Sequence, residues 1–147
     1  MNKQNLGEKY IIRLKITYYF AAFTAFQGGV AIYAFYRNIN DMALFHFFPK
    51  PLLLASLYNP IKTESIWSNM FIYNLPTGLW LFSGFLILKV LWYENVKTLL
   101  IYQLSLLFIA FLLEILQIFE GIPGTFDIFD LLSMGLFALL ASILNKF

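Results

Sequence analysis

Apolar residues fill the chain in long blocks, and the charged residues fall between them. Ile16 to Tyr36 carries no charge, and neither does Ser65 to Leu88. Thr98 to Leu113 is shorter, but its apolar pattern continues past Glu114 to Phe119. Leu131 to Asn145 extends back to Ile128 when Asp130 is admitted. A helix that crosses a bilayer needs ~20 mostly apolar residues. The pattern therefore predicts an all-α integral membrane protein, with four transmembrane helices in a small bundle at about 16–36, 66–88, 98–119 and 128–145. The whole chain, 1–147, is read as one domain. Between the first two spans, residues 42–61 read MALFHFFPKPLLLASLYNPI. Pro49, Pro51 and Pro60 forbid one continuous helix there. The segment is expected to lie on the membrane surface or to re-enter it. No internal repeat and no low-complexity tract is visible.

Composition narrows the class. The 147 residues are 61% hydrophobic and 12% charged, where a soluble domain carries roughly 25% charge. So much apolar surface cannot be hidden in a soluble globule of this size, which excludes a disordered chain and an ordinary cytosolic enzyme. With no Cys, a disulfide scaffold and a thiolate metal site are excluded. The net charge of +2 is too small and too scattered for a nucleic-acid binder. The first apolar run is longer than the ~7–15-residue core of a signal peptide, and no small-residue cleavage site follows it. It reads as a retained anchor.

Charge then orients the bundle. Lys3, Lys9, Arg13, Lys15, Lys89, Lys97 and Lys146 fall on one side of the predicted bundle, and Arg37, Lys50 and Lys62 on the other. By the positive-inside rule the first side is cytoplasmic, with both termini. Glu8 and Glu94 join it. Asp41, Glu64, Glu114, Glu120, Asp127 and Asp130 face outward. The hairpin 114–130 holds four of these carboxylates and no Lys or Arg. Trp67, Trp80 and Trp92 fit interfacial positions only loosely.

Polar residues inside spans are costly and need partners or a function. In the third span Gln103 and Glu114 are about three turns apart on nearly one face, and Gln117 adds to it. This stripe is predicted to point into the bundle. A partly desolvated Glu114 suits a general acid when protonated, and equally suits an interhelical hydrogen bond. In the hairpin, Pro123 and Gly124 make a turn, Thr125 can cap the fourth helix, and Asp127 sits in its first turn. A cap does not need Asp130, one turn deeper on the same face, so Asp130 is the better functional candidate. In the second span Pro76 is expected to kink the helix beside Asn74, which builds either a cavity or a packing contact. Gly28 and Gly29 in the first span permit close approach, with Gln27 in reach of Asn74 or Gln103. Gly135, Ala138, Ala141 and Ser142 read as a close-packing face. His46, the only histidine, is weak as a metal ligand. No nucleotide, zinc-protease or serine-hydrolase motif is present.

Glu114-Ile-Leu-Gln117, a short hairpin, and then Phe126-Asp-Ile-Phe-Asp130-Leu-Leu-Ser-Met-Gly resemble the VanZ-like family. That family carries Glu-x-x-Gln near the end of one span, a turn, and an Asp opening the next. Leu75-Pro-Thr-Gly-Leu-Trp80-Leu-Phe-Ser83 also resembles a segment of some small members. The resemblance covers about half the chain, from the second span onward. It carries over Glu114, Gln117 and Asp130, and Asp127 less firmly. Pro123, Gly124 and Thr125 occupy the stretch where the family often has Arg, and Met134 stands where an Asn often follows the Asp. The resemblance implies a bacterial envelope membrane protein of the group associated with teicoplanin resistance, without a defined reaction.

Three functions remain in view. The first is a VanZ-like protein of the bacterial cytoplasmic membrane that binds or acts on a lipid-linked or cell-wall component at the outer leaflet. Glu114 and Asp130 would be its reactive carboxylates. Gln117, Asp127 and Asn74 would bind substrate, and residues 42–61 would form a lid. The second is a membrane-embedded hydrolase or transferase with Glu114 as acid and Asp130 as base, or with a divalent cation bridging them. No cofactor is required by the sequence. The third is a non-catalytic subunit or adaptor whose polar stripes pair helices in a larger complex. A transporter is weaker, because four short spans without inverted repeats offer little gate.

Overall fold

The computed structural model describes residues 3–36, 65–119 and 125–144. These residues form four helices. Helix α1 is Lys3–Tyr36. Helix α2 is Ile66–Leu91, with a π-helical turn at Met70–Asn74. Helix α3 is Val96–Leu116 and ends in a 3-10 turn, Gln117–Phe119. Helix α4 is Ile128–Ile143. All four predicted helices are present. Helix α1 starts well before the predicted residue 16, and the others match within a few residues. The predicted surface or re-entrant segment at 42–61 lies outside the described residues.

Helices α2 and α3 are each long and apolar enough to cross a membrane. Helix α1 is long, but its Tyr, Thr, Gln and Gly residues dilute its apolar character. Helix α4 is apolar and has 16 residues, which makes it about 24 Å long at ~1.5 Å per residue. That falls short of a ~30 Å hydrocarbon core.

Local chemistry sets the helix ends. Ser65 Oγ accepts from the Trp67 N–H at 3.3 Å and opens α2. Asn95 Oδ1 accepts from the Thr98 N–H at 3.1 Å and opens α3. Asp127 Oδ1 accepts from the Phe129 N–H at 2.9 Å and opens α4. The N-cap of α4 is thus Asp127, not the expected Thr125. A carboxylate two residues nearer the helix reaches its free amides directly. Pro76 has no N–H to donate, and the turn just before it loosens into π form, with the Leu75 N–H bonded to the Met70 carbonyl.

Helix α2 is the centre of the bundle and packs against the other three. Against α1, Tyr18 and Ala22 meet Leu86 and Val90. Against α4, Leu81 and Phe85 meet Met134, Ala138 and Ala141. Met134 is buried in this apolar cluster. Small residues allow these approaches. A Cβ on Gly29 would lie 2.4 Å from Trp80 Nε1, and a Cβ on Gly78 would lie 2.4 Å from both Phe137 Cδ2 and Ser133 Oγ. Trp80 is therefore a packing residue, stacked on Tyr33 at 4.8 Å between ring centres. Part of the expected close-packing face on α4 is corrected. Ala138 and Ala141 are buried, but Ser142 is exposed and Gly135 faces open space. Gln27, expected in reach of Asn74 or Gln103, is exposed on α1.

One end of the bundle is aromatic and basic. Trp92 stacks on Tyr102 at 5.3 Å, and Lys15 Nζ lies 3.7 Å from the centre of the Tyr93 ring. The Tyr93 hydroxyl donates to the Glu94 carboxylate, and this bond holds Tyr93 above the ordinary tyrosine pKa.

Gly78→Ala should destabilise the protein by ~1–3 kcal/mol, because the α2–α4 contact has no room for a methyl group. Gly135→Ala meets nothing and should be neutral or stabilising by up to ~1 kcal/mol, by helix propensity alone. Thermal unfolding of the two purified variants in one detergent checks the pair. Equal melting shifts would contradict the described packing.

Candidate functional site

At the end opposite Lys15 and Lys89, three helices bring their polar groups together. Glu114 comes from the last turn of α3 and is 4% exposed. Its two oxygens are both engaged. Oε2 accepts from Gln117 Nε2 at 3.0 Å, and Oε1 accepts from the Asp127 backbone N–H at 3.0 Å. The carboxylate thus ties the end of α3 to the start of α4. The like charges of Asp127 and Asp130 act on it, while the two donors offset part of that repulsion.

Asp127 caps α4 with one oxygen and accepts from Asn74 Nδ2 with the other, at 2.9 Å. That second bond joins α2 to α4. Asp130, one turn on, lies 2.5 Å from Thr77 Oγ1. The Thr77 hydroxyl also lies 2.6 Å from the Asn74 carbonyl, and it has one proton to share between the two acceptors. Ser133 Oγ donates to the same carbonyl at 2.8 Å. The π turn and Pro76 place Asn74 at this junction, where its side chain and its carbonyl both bond across to α4.

All five sequence-predicted site residues meet here: Asn74, Glu114, Gln117, Asp127 and Asp130. Glu114, expected as a reactive acid or as an interhelical hydrogen bond, is buried, with one oxygen bonded to Gln117 at the end of its own helix and the other to the start of α4. Gln117, expected to touch substrate, donates to Glu114. Asn74 and Asp127 border an open cleft of about 410 Å³, together with Asn69 and Tyr73. Gln103 is buried on the inward face of α3 with Leu99 and Glu114, as the stripe predicted, and its Nε2 has no hydrogen-bond partner among the described residues. Among the described residues, no three of His, Asp and Glu are arranged to hold a metal ion.

Sequence reasoning missed Thr77 and Ser133. Their signal was spacing: Ser133 falls one turn after Asp130, on the face that begins with Asp127. It also missed a second polar cluster at the far end. Lys89, expected in a cytoplasmic loop, lies inside α2 and is 0% exposed. Its ammonium donates to the Ala141 carbonyl and lies 6.0 Å from the centre of the Tyr18 ring. The Tyr18 hydroxyl donates to the Leu144 carbonyl at 2.5 Å. The last carbonyls of a helix have no partner within it, and here two other helices supply one. A lone basic residue at the end of an apolar run was the only hint.

No family model, no curated protein and no solved structure matches this chain. The site is therefore read from its own geometry.

A double-mutant cycle on Asn74→Ala and Asp127→Ala should give a coupling energy within the ~0.5–3 kcal/mol range of directly bonded pairs. Chemical denaturation in mixed micelles measures it. Strictly additive losses would mean that this bond does not join α2 to α4.

Proposed function

We propose that this chain is a VanZ-like multi-pass protein of the bacterial cytoplasmic membrane, and that it binds a lipid-linked or cell-wall component at the outer leaflet. All four helices would lie in the membrane, with α4 held short of at least one surface. The observation that carries the reading is the separation of charge along the bundle. Lys9, Arg13, Lys15, Lys89 and Lys97 belong to the end formed by the start of α1, the α2–α3 turn and the end of α4. Glu114, Asp127 and Asp130 gather at the other end, where Asp127 lines an open cleft. The positive-inside rule turns that cleft outward.

The wide apolar exterior supports a lipid setting. Phe20, Phe23, Phe108, Ile109, Leu136 and Leu139 are all exposed, a pattern that soluble monomers avoid. The bonding pattern supports binding over chemistry. Glu114, bonded to Gln117, ties the end of α3 to the start of α4. Asp127 and Asn69 line the cleft. A small, polar recognition cleft held by rigid helices is a usual binding arrangement.

Cysteine labelling tests the reading, since the chain has no native Cys. Single variants Asn69→Cys and Asp127→Cys should react with a membrane-impermeant maleimide on intact cells. Glu114→Cys, Glu94→Cys and Leu139→Cys should stay unlabelled. Labelling of Glu94→Cys without Asp127→Cys would invert the orientation. Protection at both 69 and 127 in folded protein would close the cleft and end the proposal.

A further inference from the structure

The polar cleft does not end at Asp127. It meets an apolar groove of about 360 Å³ that runs between α2 and α4, and the two share Met70, Asn74 and Phe129. Phe71 and Leu75 line the groove on α2, and Leu132 and Leu136 line it on α4. It follows both helices from the acidic end toward the middle of the bundle. A polar cleft continuous with an apolar groove along the helix axis has the shape of one amphiphile, head outward and chain inward.

We infer that this composite site seats one acyl chain of an outer-leaflet phospholipid, with the lipid's primary ammonium head at Asp127. The inference rests on the outward, membrane-embedded reading above and takes a membrane phospholipid as an occupant of that site. Charge selects the head. Asp127 lines the cleft, and among the described residues no Lys or Arg lines it; Arg37, Lys50 and Lys62, expected on this side, lie outside the described residues. A head offering only phosphate or hydroxyls brings no cation to this carboxylate. An ammonium brings both charge and donors. Each carboxylate oxygen can accept about two hydrogen bonds, and each oxygen of Asp127 accepts one from the groups above. Acceptor capacity therefore remains on Asp127. The Asn69 amide, also on the cleft wall, can bond the adjoining phosphate.

The test uses the purified full chain in nanodiscs of phosphatidylethanolamine, phosphatidylcholine and phosphatidylglycerol at equal mole fraction with identical chains. Native mass spectrometry reads the lipids that stay bound after release. Phosphatidylethanolamine should be enriched roughly two- to five-fold over phosphatidylcholine, the size of one partly exposed ion pair. Asp127→Asn should abolish that preference, and Asp127→Glu should keep it. Leu136→Trp, which fills the groove, should lower retention of all three lipids. A thermal melt of each variant confirms that it is folded. Equal retention of the ethanolamine and choline lipids, a preference for phosphatidylglycerol, or an unchanged preference in Asp127→Asn would each overturn the inference. If the maleimide pattern at 69 and 127 stands while any of these occurs, the lipid assignment alone fails. If that pattern fails too, the outward cleft itself is lost.

Discussion

The constraint on which the bundle depends is that both polar ends of a short helix need partners. Helix α4 has 16 residues, and its free amides and carbonyls would fall inside hydrocarbon if it lay in a bilayer. An unsatisfied backbone group there costs several kcal/mol. The fold meets this need with side chains from all three other helices. Glu114 of α3 accepts the Asp127 amide at one end, and Asn74 and Thr77 of α2 hold the first turn. At the other end Lys89 of α2 and Tyr18 of α1 take the last carbonyls. Burial of a lysine is expensive. At a helix C-terminus the ammonium meets the negative end of the dipole, which offsets part of that cost.

The candidate site follows from the same constraint. A network that ends a helix inside a bundle gathers polar groups where none would otherwise be stable. Once gathered, most of them are occupied by one another. This separates Glu114, whose oxygens both bind neighbouring elements, from Asp127, which caps α4 and also borders a cleft. Glu114 ties the end of α3 to the start of α4. Asp127, which the sequence placed in the first turn of α4, borders the cleft.

Much of this was legible in the sequence, for physical reasons. Long charge-free runs dictate helices, so the four elements could be placed within a few residues at most ends. The stripe of Gln103 and Glu114 could be read from helical spacing, because lipid offers polar groups nothing. Asn74 and Pro76 together marked a break in α2. Other features were hidden because they depend on how the helices lie side by side. Lys89 looks like a loop residue until the end of α4 is placed against it. Thr77 and Ser133 matter only because Gly78 lets α2 and α4 approach. The cap of α4 moved from Thr125 to Asp127 because the hairpin amide already belongs to Glu114.

Hydrogen–deuterium exchange along α4, in nanodiscs, tests the central claim most directly. It compares the wild type with Glu114→Ala and with Lys89→Met. If other helices hold the two ends, Glu114→Ala should speed exchange at Asp127 and through the first turn, while Lys89→Met should speed it over the last turn. The middle of the helix, around Met134 to Ala138, should stay slow in each. End amides that exchange as slowly in both variants as in the wild type would show that α4 holds its own ends, and would contradict the account.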